Sequence, residues 1–223
     1  MKCISVAVDG PAGAGKSTVS RAAAKRLGFV YIDTGAMYRA VALFSLENGI
    51  GVNELADKLD LINIEIKHSG GEQLIYLNGT DVSKRIRGED VSVRASDVAA
   101  IKAVRTKLVE MQKQTALAAN VIMDGRDIGT CVLPNADLKV FLTASSDTRA
   151  RRRCKELTER GEKCDFEKIK ADIEYRDKND SERAESPLKR ADDAVLLDTS
   201  DYTFEESVDA LTGMIQRVVE NSK

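Results

Sequence analysis

Histidine is nearly missing from this chain: one residue in 223, at position 68. That scarcity excludes a Ser-His-Asp hydrolytic site and a histidine-rich metal site. His68 itself precedes Ser69-Gly70-Gly71 and reads as part of an exposed turn. Tryptophan is absent and aromatic residues make up 4% of the chain, too few for the base-stacking platforms of single-strand nucleic-acid binders. The four cysteines, Cys3, Cys131, Cys154 and Cys164, show no C-x-x-C spacing and are too sparse for a disulfide scaffold. Reduced thiols in a cytoplasmic protein are expected. No apolar run approaches the roughly 18 residues of a membrane-spanning helix. The first run, Ile4 to Val8, is closed by Asp9; it is too short for a signal-peptide core and no cleavage site follows. Neither sign of charge prevails, with 34 basic residues against 36 acidic and a net charge of −2. A global field that attracts nucleic acid or an anionic membrane is therefore lacking, and affinity for phosphate has to come from local clusters of arginine.

What is present suits one compact α/β domain spanning 1–223. The chain is 43% apolar and 31% charged, enough to build a core and too polar for a membrane protein. Short apolar strands are read at Ile4–Val8, Phe29–Ile32, Val121–Met123, Leu138–Leu142 and Val195–Leu197. Helical patterns separate them: Lys16–Leu27, Met37–Leu46, one or two helices within Asp90–Asn120, Asp147–Gly161, Phe166–Arg183 and Phe204 to about Val219. Strands alternating with helices predict a parallel sheet with helices on both faces. The stretch 62–77 departs from this plan. Ile62, Ile64, Ile66, Leu74 and Tyr76 alternate with polar residues, which predicts a β-hairpin inserted outside the main sheet.

Gly10-Pro11-Ala12-Gly13-Ala14-Gly15-Lys16-Ser17 follows the first strand and opens the first helix. This is the G-x-x-x-x-G-K-S pattern of a P-loop. Its glycines let backbone N–H groups wrap a phosphate, and the helix N-terminus adds its positive end. Lys16 is placed to reach the β- and γ-phosphates, and the Ser17 hydroxyl to ligate Mg²⁺. The predicted ATP site is residues 10 to 17 with Thr18. A switch GTPase would carry N-K-x-D after an apolar strand; the nearest approach here, Lys178-Asn179-Asp180, lies in a charged helical stretch.

Two further segments follow strands, where ligands gather in open parallel sheets. They are D-T-G-A-M-Y-R at 33–39 and D-G-R-D-I-G-T at 124–130. With the P-loop, with Val93-Arg-Ala-Ser96 and Val104-Arg105, and with the arginine-rich 145–153 and 176–183, these segments closely resemble the bacterial cytidylate kinase family over nearly the whole chain. The resemblance implies the three-layer fold of P-loop NTPases, with a monophosphate-binding insertion at about 60–90 and a helical lid at about 146–163. It implies ATP-dependent phosphorylation of CMP or dCMP with Mg²⁺. It also carries over site residues. Ser96, Arg105 and Asp127 match positions at the cytosine, and Arg39, Arg126 and Arg183 positions at the acceptor phosphate. Arg176 and Asp180 match the ribose, and Thr34 a nearby polar position.

The residue chemistry agrees with these roles. Cytosine offers an amino donor beside two acceptors, which calls for a carboxylate and an arginine on its edge; Asp127 and Arg105 are that pair. Uracil would set O4 against the carboxylate. Arg176, Asp180 and Arg183 at i, i+4, i+7 share a helix face, as a solvated ion-pair ladder also would. The run Arg149-Ala-Arg151-Arg152-Arg153 reads as an RNA patch, a solvated face or a lid that neutralises the migrating phosphoryl. The lid is preferred, and Lys16, Arg126, Arg149 and Arg153 form the expected catalytic set. Asp124 is expected to orient a Mg²⁺-bound water and is counted with the CMP-binding residues. The expected partners are ATP and CMP or dCMP, with neither nucleic acid nor membrane, on a monomer. Two alternatives stay open at this point: transfer to UMP or another small acceptor, and a nucleotide-regulated RNA-binding protein.

Overall fold

The computed structural model describes residues 3–69, 72–117 and 119–221. In chain order the elements are β1 (Ser5–Asp9), α1 (Lys16–Leu27), β2 (Val30–Asp33), α2 (Thr34–Glu47), β3 (Ile64–Ser69), β4 (Glu72–Leu77), β5 (Thr80–Asp81), α3 (Glu89–Val98) and α4 (Lys102–Ala116). Then come β6 (Val121–Gly125), β7 (Leu138–Thr143), α5 (Ser146–Glu159), α6 (Phe166–Glu182), β8 (Val195–Asp198) and α7 (Phe204–Asn221). The expected α/β architecture is present: five parallel strands in the order β2-β6-β1-β7-β8. The inner strands β1 and β6 are buried on both faces and so read as unbroken apolar runs rather than alternations, whereas the edge strand β8 buries only Leu197. Val6, Ala7 and Val8 of β1 are fully buried, as are Val121, Ile122 and Met123 of β6.

Helices α1 and α7 cover one face of β1 and β7, where Val19, Ala23, Val208, Leu211 and Ile215 meet Val6, Val8, Val140 and Leu142. A second core lies around α2. This helix is buried nearly all round, from Thr34 through Ser45 apart from Gly35 and Arg39, because it sits between the sheet and the insertion. The insertion is the small antiparallel sheet β3-β4-β5, with Ile64 opposite Leu77 and Ile66 opposite Ile75. Ile64, Ile75 and Leu77 pack into the α2 core with Val91, Val98 and Val104 of α3 and α4. The alternation in 62–77 thus records a sheet buried on one face.

Strand register brings the site together. Asp9 pairs with Gly125 and Asp33 with Asp124, so β1, β2 and β6 end level. The segments that follow them, the loop 10–15, the start of α2 at 34–39 and the turn 126–132, emerge side by side.

Three expectations are corrected. His68 lies in β3 opposite Gln73, exposed at the strand end with its Nε2 3.1 Å from the Tyr31 carbonyl oxygen; Gly70 and Gly71 lie outside the described residues. Cys154 and Cys164 are a disulfide, with Cα atoms 5.3 Å apart. The chain doubles back between α5 and α6, and nothing in a ten-residue spacing signals that approach. Arg183 is not on the helix face with Arg176 and Asp180. Helix α6 ends at Glu182, and Arg183 caps it in an extended conformation, φ −60° and ψ 141°. Among the described residues no helix is long and apolar enough to cross a membrane.

Candidate nucleotide site

The turn from β1 into α1 depends on glycine at its first position. Gly10 has φ +148°, and a Cβ there would lie 1.9 Å from the Leu142 carbonyl oxygen, so no side chain fits. Lys16 opens α1, buried, and its Nζ donates to the Pro11 carbonyl at 2.8 Å. Burial first, then the Arg126 guanidinium, push its ammonium down to about 7; Asp124 and Asp9 pull the other way. A lysine so poorly solvated has much to gain from an incoming phosphate.

Asp124, at the end of β6, joins several expected residues. Its Oδ2 accepts from Ser17 Oγ and its Oδ1 from Tyr31 OH, both at 2.8 Å. Thr34 Oγ1 donates to its carbonyl at 2.8 Å. Burial, then Asp33, raise the Asp124 pKa.

On the acceptor side the arginines are held by carboxylates. Asp127 is buried with Arg105, whose Nη2 donates to Oδ2, and Arg183 Nη2 stands 3.6 Å from its Oδ1. Arg105 also lies over the Tyr38 ring, 5.6 Å from its centre. Arg126 Nε donates to Asp180 Oδ2 at 2.8 Å, which links the loop after β6 to α6. Arg39 meets Asp33 at 2.9 Å. Burial alone would raise the Asp33 pKa; Arg39 and Arg87 overcome it and hold the carboxyl below its usual value. Arg176 and Arg183 are lowered by burial first, and next by Arg126 and Arg105 respectively. Tyr38 OH, Arg39 Nε and Arg183 Nη2 are buried without a hydrogen-bond partner. Burial pushes the Tyr38 phenol up to about 12, so it stays a neutral donor. Ser96 is half-buried on α3 and outside this network. The result is a cluster in which Arg39, Arg87, Arg105, Arg126, Arg176 and Arg183 outnumber the carboxylates Asp33, Asp127 and Asp180, with Asp127 the one buried against Arg105.

The lid arginines divide. Arg149 is buried: Nε donates to Ala144 O at 2.8 Å, Nη1 to Ala12 O at 2.9 Å, and Nη2 pairs with Asp177 at 2.7 Å. Arg152 reaches Thr199 O at 2.6 Å and Ala14 O at 3.4 Å. Both therefore touch the P-loop. Arg153, expected in the catalytic set, pairs with Glu156 on the exposed side of α5 at 3.0 Å, while Arg152, not expected there, lies next to the phosphate loop. Helical spacing alone does not fix which way such neighbouring side chains turn. Sequence reasoning also left out Arg87, which meets Asp33 at 2.9 Å. It left out Gln73, which bonds both the N–H and the carbonyl of Asp33. Both sit in or beside the insertion, and no local pattern marks them.

A phosphate-wrapping loop between strand and helix, ringed by arginines at the C-terminal ends of a parallel sheet, defines a P-loop kinase. The fold is shared with a gluconokinase from Sinorhizobium meliloti 1021, at TM-score 0.52 and 15% identity over 98% of this chain and 94% of that one. A family model described as cytidylate kinase matches residues 6–217. Curated cytidylate kinases resemble the chain throughout. That of Caldicellulosiruptor saccharolyticus is 48% identical over 99% of both chains. That of Lactobacillus johnsonii is 48% identical over 97% of this chain and 95% of its own, and that of Streptococcus pneumoniae 47% over 95% and 96%. The chain belongs to the cytidylate kinase family of nucleoside monophosphate kinases.

Proposed function

We propose that the protein transfers the γ-phosphate of ATP to CMP or dCMP in the cytoplasm, giving CDP or dCDP and ADP, with the residue roles that follow. The P-loop N–H groups and Lys16 hold the donor phosphates. Arg39, Arg126 and Arg183 hold the acceptor phosphate in line, with Arg87 beside them on Asp33. Arg176 and Asp180 face the ribose. The acceptor phosphate is already ionised, so positioning and charge neutralisation carry the rate and no strong base is needed. Arg149 and Arg152 brace the P-loop from α5, and closure of the lid keeps water from the γ-phosphate.

The oxygen donors at the head of α1 fit a magnesium ion. Ser17 Oγ and the Asp124 carboxylate are hard ligands 2.8 Å apart, and Mg²⁺ takes few protein ligands beside phosphates and water. Ser17 would ligate it and Asp124 hold one of its waters. When bound, the ion supplies neutralisation of the β- and γ-phosphate oxygens. That Arg149 and Arg152 turn inward to P-loop carbonyls favours a lid over an RNA-binding face.

The observation that carries the acceptor is the buried Arg105–Asp127 pair beside the phosphate arginines. A carboxylate there accepts from the cytosine amino group and repels uracil O4. Asp127→Ala should lower kcat/KM for CMP roughly ten- to a hundredfold, the cost of one charged hydrogen bond, and spare UMP, so the CMP/UMP ratio collapses. A preserved ratio, with both acceptors declining together, would mean that Asp127 only braces its arginines.

A further inference from the structure

Asp9 ends β1, directly before Gly10, and nothing above gives it a role. Its carboxylate is 5% exposed and points across the sheet to the loop after β6. Oδ1 accepts from the Ile128 N–H at 2.8 Å, and Oδ2 from the Gly129 N–H at 2.7 Å. These two groups begin the single π-turn Ile128–Val132. Within the turn, Cys131 and Val132 donate back to Asp127 O and Leu133 donates to Ile128 O. The first N–H groups of any helical turn have no carbonyl behind them and need another acceptor.

The usual acceptor is the side chain of the residue just before the turn. Here that residue is Asp127, and it makes no such cap, because its carboxylate faces Arg105 and Arg183. Asp9 supplies the cap in its place, from a residue 119 positions away. The surroundings of Asp9 are charged: Asp127 and Lys16 both act on it, and the Lys139 chain and the Asp9 carboxylate both lie against Gly129.

We infer that Asp9 is a positioning residue for acceptor choice: by capping the 128–132 turn from the root of the phosphate loop, it releases the Asp127 carboxylate to meet the base and fixes Arg126 and Asp127 relative to the donor. The proposal rests on the reading of Asp127 as the base-facing group. The carboxylate touches neither nucleotide; it acts through the loop. Its loss should therefore fall on discrimination between acceptors and leave donor binding alone.

The test is Asp9→Asn in the full chain, which keeps the volume but offers one acceptor oxygen to two donors. The expected result is a fall of about tenfold in kcat/KM for CMP and at least about fivefold in the CMP/UMP ratio, with the ADP dissociation constant, measured without acceptor, within about threefold of wild type. An unchanged ratio, or ADP binding weakened as much as CMP turnover, overturns the inference. Asp127→Ala and the double variant are measured alongside. If Asp127→Ala collapses the ratio, Asp9→Asn should lower it no further in that background, and an additive loss rejects the coupling. If Asp127→Ala itself preserves the ratio, the base reading fails first, and the two failures are told apart. Should Asp9→Asn not fold, the wild type decides through amide exchange. Ile128 and Gly129 N–H groups should exchange slowly without nucleotide, and rapid exchange there overturns the cap.

Discussion

Five guanidiniums at the expected acceptor site are met by buried or half-buried carboxylates: Arg39 and Arg87 by Asp33, Arg105 and Arg183 by Asp127, Arg126 by Asp180. Unpaired buried charge is costly, so the pairing stabilises the charges and sets their geometry. An incoming phosphate then exchanges partners with arginines already aimed, rather than ordering them from solvent. Asp9 is the exception, a carboxylate held by backbone N–H groups with its pKa raised from 3.8 to about 6, by burial first and then by Asp127. The sign of the consequence follows from linkage. The folded protein binds this proton more tightly than the unfolded chain does. The resulting stabilisation is full below about pH 3.8 and lost as pH rises through about 6. The stability of Asp9→Asn relative to wild type, both without nucleotide, should therefore improve by about 2 kcal/mol between pH 4.5 and 7.5. Urea denaturation at the two pH values measures it. Parallel stabilities would show that Asp9 titrates in its ordinary range.

At the scale of elements, what the sequence reveals is what is local. The P-loop and its flanking strand and helix are contiguous, so one pattern of glycine, lysine and serine locates them. The acceptor loops follow strand ends, and the topology of a parallel sheet puts them in one crevice; hence Arg39, Asp124, Arg126 and Asp127 were legible. Partnerships between distant segments were not. Asp9 with the Ile128 N–H, Asp33 with Arg87 and Gln73, and Arg149 with Asp177 each join groups that no periodicity relates. The direction of Arg153 and the Cys154–Cys164 bond depend on how α5 turns back toward α6, which the amphipathic pattern of either helix leaves open. That turning back also shapes the segment proposed as the lid. Its first two turns are anchored to the P-loop through Arg149 and Arg152, while its far end, 159–165, is exposed. Hydrogen exchange across 147–163 should slow when ATP and CMP are both present, most of all beyond Arg153, and less with either alone. Exchange indifferent to the nucleotides would contradict a closing lid.

The whole molecule separates two tasks on one sheet. The central strand β1 leads into the donor loop, its neighbour β6 into the loop that carries Arg126 and Asp127, and β2 into the helix that carries Arg39. The insertion packs on α2 rather than joining the sheet, so a second core, built around α2, lies beside the proposed acceptor residues. In the proposed function, donor and acceptor phosphates would meet at the ends of adjacent strands, the arrangement an in-line transfer requires. That claim is tested most directly by incubating the protein with ATP, Mg²⁺ and a panel of acceptors: CMP, dCMP, UMP, AMP, GMP, gluconate and shikimate. Products are counted by mass spectrometry. The expected result is one CDP or dCDP formed per ADP released, with kcat/KM for UMP at least about tenfold lower and the remaining acceptors unchanged. ADP released without a phosphorylated cytidine nucleotide, or turnover of another acceptor at the rate of CMP, would contradict the account.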